Sequence, residues 1–276
     1  MNIRFATKEE GQTLMGSSDE YTRSLNAYNL EWASKSKTEQ EHLDKCRASV
    51  IEWSEEEQKK NLSIIHQFQS RLDTLGLLID QEIILVKTNG SDCNGLPYTR
   101  GNFIVLPFTL KKDEKSVGVL DHFTLGLLVH ETFHIISRKN PDLKPVLYEL
   151  AGFNYPSNFN QEKNLPPRFI TNPDALNLDF TIEVTHNNEK FLTTPVFEGF
   201  GNKLKLLAYS SDGNYLRWIK ARKTDYLEKI NCVSSYVIHP EEILAELFRV
   251  SITSREENAL CENFLVILRN YFHSSK

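Results

Sequence analysis

His130-Glu131-Thr132-Phe133-His134 is the stretch on which the reading of this chain turns. It spells H-E-x-x-H, the spacing at which one helix holds a zinc ion and also carries a general base. Positions i and i+4 share a helix face, so two imidazoles can reach one ion from consecutive turns. Glu131 lies about a hundred degrees round the helix from His130, placed to address a zinc-bound water without ligating the metal. The surroundings read as one helix. Leu125, Leu127, Leu128, Val129, Phe133, Ile135 and Ile136 make it apolar around much of its circumference, and no glycine interrupts Leu127 to His134. Asp121 is the expected N-cap, and Pro141 marks the end. Two histidines and a glutamate inside such a helix are costly to bury without partners, and a metal removes that cost.

A zinc site takes at least a third protein ligand, and a catalytic one leaves a position open for water. The best candidate lies far downstream, in His239-Pro240-Glu241-Glu242-Ile243-Leu244-Ala245-Glu246. Pro240 suits the first turn of a helix, and Glu241 and Glu242 suit its positive end. Glu242 and Glu246 are four apart and face one side. Ile243, Leu244, Leu247, Phe248 and Val250 supply apolar surface for packing. One carboxylate can bind zinc while the other accepts a hydrogen bond from the distal nitrogen of a ligating histidine. Glu149, in the helical stretch Pro145 to Leu150, is a rival third ligand. Asp174, in Asn172-Pro173-Asp174, is a weaker rival that otherwise reads as a turn residue.

H-E-x-x-H followed by a later helix with E-x-x-x-[DE] resembles the gluzincin (thermolysin-like) metallopeptidases. The resemblance rests on His130, Glu131, His134, Glu242 and Glu246. It implies zinc held by His130, His134 and Glu242, Glu131 as the base, and Glu246 orienting His130. The gap between His134 and Glu242 is far longer here than in thermolysin-like sites. The metzincin extension is absent, with Ser137 and Asn140 standing at its glycine and third histidine. Before the H-E-x-x-H helix, Tyr98 to Pro107 reads as a turn entering a strand. By resemblance that strand would be a sheet edge binding substrate as an added strand, with Asn102, Phe103 and Ile104 as its contacts. Tyr148, Tyr236 and His239 are the candidates for stabilising an oxyanion, since each lies near a ligand helix in sequence. Arg138 reads as a cation suited to a helix C-terminus.

The chain has 276 residues and a formal net charge of −5, which gives no electrostatic reason to expect nucleic-acid or anionic-membrane partners. No apolar run reaches the roughly twenty residues of a membrane span. Met1 to Glu20 has no apolar signal-peptide core, so a cytoplasmic location is expected; export by a route without a signal peptide leaves no such trace. Cys46, Cys93, Cys232 and Cys261 are scattered without C-x-x-C pairs and read as reduced thiols.

The expected fold class is α+β and zincin-like. It is helix-rich, with a small mixed sheet before the H-E-x-x-H helix and a β-rich insert before a C-terminal helical part. The expected divisions are 1–76, an N-terminal helical region closed by Gly76; 77–153, the catalytic core with strands Ile83 to Lys87 and Asn102 to Leu106; 154–225, the insert; and 226–276, the C-terminal helices with Glu242. Within the first, Glu55 to Lys60 reads as a solvated charge run. Within the insert, Asp179 to Thr185 and Lys190 to Phe197 alternate in polarity around the turn His186-Asn187-Asn188-Glu189. Leu204 to Tyr209 and Tyr215 to Ile219 flank a second turn, Ser211 to Asn214, and helices follow at Glu241 to Ile252 and Glu256 to Phe272. The insert is a candidate flap over the site. The expected activity is a zinc-dependent metallopeptidase acting on protein or peptide substrates. The alternatives are a zinc hydrolase of a non-peptide amide and a metal-stabilised binding module without catalysis. Oligomeric state is not legible.

Overall fold

A computed structural model describes residues 1–108, 124–157, 159, 165–166, 168–199, 203–210, 212–254 and 258–274. The expected cap Asp121, turn residue Ser211 and helix start Glu256 lie outside the described residues. The fold is a mixture of helix and sheet, in two compact units: Met1–Arg138 with Phe272–Lys276, and Lys139–Tyr271. No helix among the described residues is long and apolar enough to cross a membrane. None of the four cysteines is joined in a disulfide among the described residues.

The first unit opens with a strand the sequence did not reveal, β1 (Asn2–Phe5), followed by helices α1 (Lys8–Met15), α2 (Glu20–Ser24), α3 (Ala27–Ser34), α4 (Glu39–Ser49) and α5 (Glu55–Thr74). Each helix starts where a small polar side chain accepts an orphan backbone N–H: Thr7, Asp19, Asn26, Thr38 and Ser54. Asp19 and Ser54 complete capping boxes with Thr22 and Glu57. The expected charge run is therefore more than a solvated face. Glu57 also accepts from buried Lys87, at 2.6 and 2.7 Å. Gly76 ends the helical stretch with φ +67°, as its position predicts.

Three further strands, β2 (Glu82–Thr88), β3 (Tyr98–Arg100) and β4 (Phe103–Pro107), join β1 in the order β1-β2-β4-β3. The β1–β2 and β2–β4 pairs are parallel, and β3–β4 is antiparallel. This corrects the edge-strand expectation. Gly101, at φ +52°, turns the chain so that Tyr98–Arg100 folds back on Phe103–Val105. Phe103 and Ile104 are paired on one side with Ile84 and Leu85 and on the other with Arg100 and Thr99, and Asn102 O accepts from Ile84 N–H. No free edge remains at Asn102, Phe103 and Ile104 for an added substrate strand. Beneath the sheet Ala6, Met15, Cys46, Val50, Ile84, Val86, Tyr98, Phe103 and Val105 form one buried apolar cluster.

Helix α6 (Leu125–Lys139) follows. Thr124 Oγ1 accepts from Leu127 N–H and Thr124 O from Leu128 N–H, so Thr124 caps the described start. At the far end Arg138 donates to Gly101 O (3.0 Å) and Thr99 Oγ1 (2.9 Å), tying the helix to the β3–β4 turn.

The second unit holds α7 (Lys144–Leu150) and then an antiparallel meander of β5 (Ile182–His186), β6 (Glu189–Glu198), β7 (Lys203–Tyr209) and β8 (Tyr215–Lys220). The expected β-rich character of the insert is thus present in its second half. Helices α8 (Tyr226–Lys229), α9 (Pro240–Thr253) and α10 (Ala259–Ser274) complete it. Phe153, Phe180 and Tyr148 pack edge-on in its core, and Phe248 of α9 meets Phe264 of α10 at 6.2 Å between ring centres.

Candidate functional site

The helical reading of H-E-x-x-H places the side chains as its spacing demands. His130 and His134 lie one turn apart on α6 with ring centres 5.0 Å apart. Glu131 and His134 are buried and His130 is partly so.

Helix α9 is built around its acidic first turn. His239 caps it: Nδ1 accepts from Glu241 N–H (3.0 Å), so the ring proton sits on Nε2 and is donated to Asn177 O (2.8 Å). Burial lowers the His239 pKa below its usual range and keeps the ring neutral. Both nitrogens are engaged in holding the helix start, which gives His239 a capping role rather than that of an oxyanion donor. Glu241 and Glu242 are both buried. Glu241 accepts from the Tyr148 hydroxyl at 2.7 Å and pairs with Lys144 at 3.3 Å. Glu242 Oε1 accepts from the Asn172 side-chain amide. Tyr236 is exposed. Both oxygens of Glu246 accept from Arg249, at 2.9 and 2.8 Å.

His130, Glu131 and His134 belong to the first unit, and Asp174, Glu241 and Glu242 to the second. Two imidazoles one helical turn apart are donors compatible with a divalent metal ion. Glu149 is exposed. Sequence reasoning missed Asn172. It was visible only as part of a turn, because no spacing rule links it to a helix start seventy positions on.

No protein-family model, no curated protein and no solved structure matches this chain.

Proposed function

We propose that this chain is a zinc-dependent metallopeptidase of gluzincin type, with a zincin-like catalytic fold, acting on protein or peptide substrates in the cytoplasm. The supporting observation is that His130 and His134 lie one turn apart on α6 with ring centres 5.0 Å apart, on a motif that also carries the buried Glu131; Glu242 is the third ligand that the gluzincin resemblance supplies. Two histidines and a glutamate are one of the ligand sets of catalytic zinc, which keeps its fourth position for water or substrate. Zinc, when bound, lowers the pKa of its water towards about 7 and polarises a carbonyl. The chain's own residues supply the rest. His130 and His134, as neutral imidazoles, and Glu242, as a carboxylate, hold the ion. Glu131 accepts the proton of the attacking water and returns it to the leaving amine. Burial of Glu131 and His134 keeps bulk water from competing for that proton.

The test compares wild type with Glu131→Gln, both prepared without chelator, on a mixture of unfolded proteins. Wild type should produce fragments, and Glu131→Gln should be slower by about 10²- to 10⁴-fold with zinc content unchanged. Stoichiometric zinc with no cleavage by wild type would favour a metal-stabilised binding module. Absence of bound metal, and failure to take it up on zinc addition, would overturn the reading.

A further inference from the structure

We propose that Asn172 is a positioning residue for Glu242: its side-chain amide sets the orientation in which that carboxylate meets a divalent cation. The proposal rests on the ligand role given to Glu242 above.

The amide of Asn172 has only one way to face. Its Oδ1 accepts from Asp174 N–H at 3.0 Å, closing an Asx turn. That bond identifies the oxygen, so Nδ2 is the end presented to Glu242 Oε1. The backbone on either side is anchored. Ala175 N–H donates to Asn172 O (3.2 Å), Ile170 N–H donates to Phe197 O of β6 (3.2 Å), and Phe169 bridges Glu198. Three residues past the turn, Asn177 O accepts from His239, the cap of α9. The segment 172–177 therefore holds the first turn of α9 at two points, the Glu242 side chain and the His239 ring.

Glu242 is 2% exposed. A hydrogen bond from a fixed donor to a buried carboxylate is charge-assisted and stronger than a neutral one. It also fixes the carboxylate plane, as outer-shell donors do for metal ligands. Asn172 does this from an anchored turn, so the orientation is set before any cation arrives.

The experiment measures zinc affinity of the full chain by competition with a chromophoric chelator, and the visible spectrum of the protein loaded with cobalt instead. The variants are Asn172→Asp, Asn172→Ala and Glu242→Gln. Asn172→Asp keeps an oxygen to accept Asp174 N–H and replaces the donor with an acceptor, so the turn survives while Glu242 loses the Asn172 hydrogen bond. Asn172→Ala removes both bonds. The expected result is about 10- to 100-fold weaker zinc binding by both Asn172 variants, with an altered cobalt spectrum. Melting in excess chelator reports the metal-free fold separately. Wild-type zinc affinity in both Asn172 variants, with zinc lost in Glu242→Gln, would overturn the positioning role and leave Glu242 as a ligand. Zinc affinity unchanged in Glu242→Gln would overturn the ligand role and the positioning role together.

Discussion

The Tyr148 hydroxyl donates to Glu241 Oε1 over 2.7 Å, joining α7 to the acidic first turn of α9. Both side chains are buried, and Lys144 reaches the same oxygen at 3.3 Å. Burial, and then the charge of Glu241, push the Tyr148 phenol well above its usual range, so it serves only as a donor. Tyr148→Phe removes one partner of a buried charged acceptor and should cost about 1.5–3 kcal/mol in urea unfolding. Since the hydroxyl proton is directed at Glu241, zinc affinity and kcat of the folded variant should stay at wild-type values. A fall in kcat at constant KM would instead make Tyr148 an oxyanion donor.

Substitution separates Glu242 from its rivals Asp174 and Glu149 as the third ligand. With the ion on His130, His134 and Glu242, Glu242→Gln should strip zinc measured by atomic absorption after dialysis, while Asp174→Asn and Glu149→Gln retain it. With Asp174 as the third ligand the pattern inverts, and Asp174→Asn loses the metal while Glu242→Gln retains it. Zinc lost only in Glu149→Gln would sink both assignments.

His42 gives the first unit a measurable pH dependence. The ring is buried, with Nδ1 at 2.7 Å from Ser34 Oγ and Nε2 at 3.5 Å from Cys46 Sγ. Burial, assisted by the nearby Arg100 charge, lowers its pKa to about 4. The unfolded chain therefore takes up this proton near pH 6.5 and the folded chain does not until about pH 4. The contribution is fully present above about pH 6.5 and is lost as pH falls towards 4, by about 3 kcal/mol at most. His42→Gln, unfolded in urea at points across that window, should show a shallower fall in stability than wild type. Parallel curves would show that His42 titrates alike in both states.

What was legible depended on how local the signal is. H-E-x-x-H, the Gly76 helix stop and the insert's hairpins are set by neighbours a few residues apart, and all could be read from spacing. β1 could not, because its four residues acquire strand character only by parallel pairing with Glu82–Leu85. β3 was read as a turn, because three residues carry too little alternation to show a strand. That one miss reversed the edge-strand expectation, since β3 occupies the side of β4 on which substrate was to lie. At the candidate site the two histidines and Glu131 of α6 were legible, and the Asn172–Glu242 contact was not.

The β5–β6 hairpin offers the sharpest test of a reading made from spacing alone. Asn187 and Asn188 occupy the left-handed region at φ 52° and 64°, between the paired residues His186 and Glu189. Two successive positive φ values match a two-residue turn whose twist suits the flanking strands. Both asparagines are exposed, so substitutions there act through the backbone rather than through packing. Asparagine tolerates this region better than most residues, and glycine better still. Asn188→Gly should therefore be neutral to about 0.5 kcal/mol stabilising, its relief of strain offset by a more flexible unfolded chain. Asn188→Val forces a β-branched side chain into the same conformation and should cost about 1–2 kcal/mol. Urea unfolding of the two variants should differ in midpoint with an unchanged slope. Equal midpoints would mean that the turn does not hold this geometry in solution.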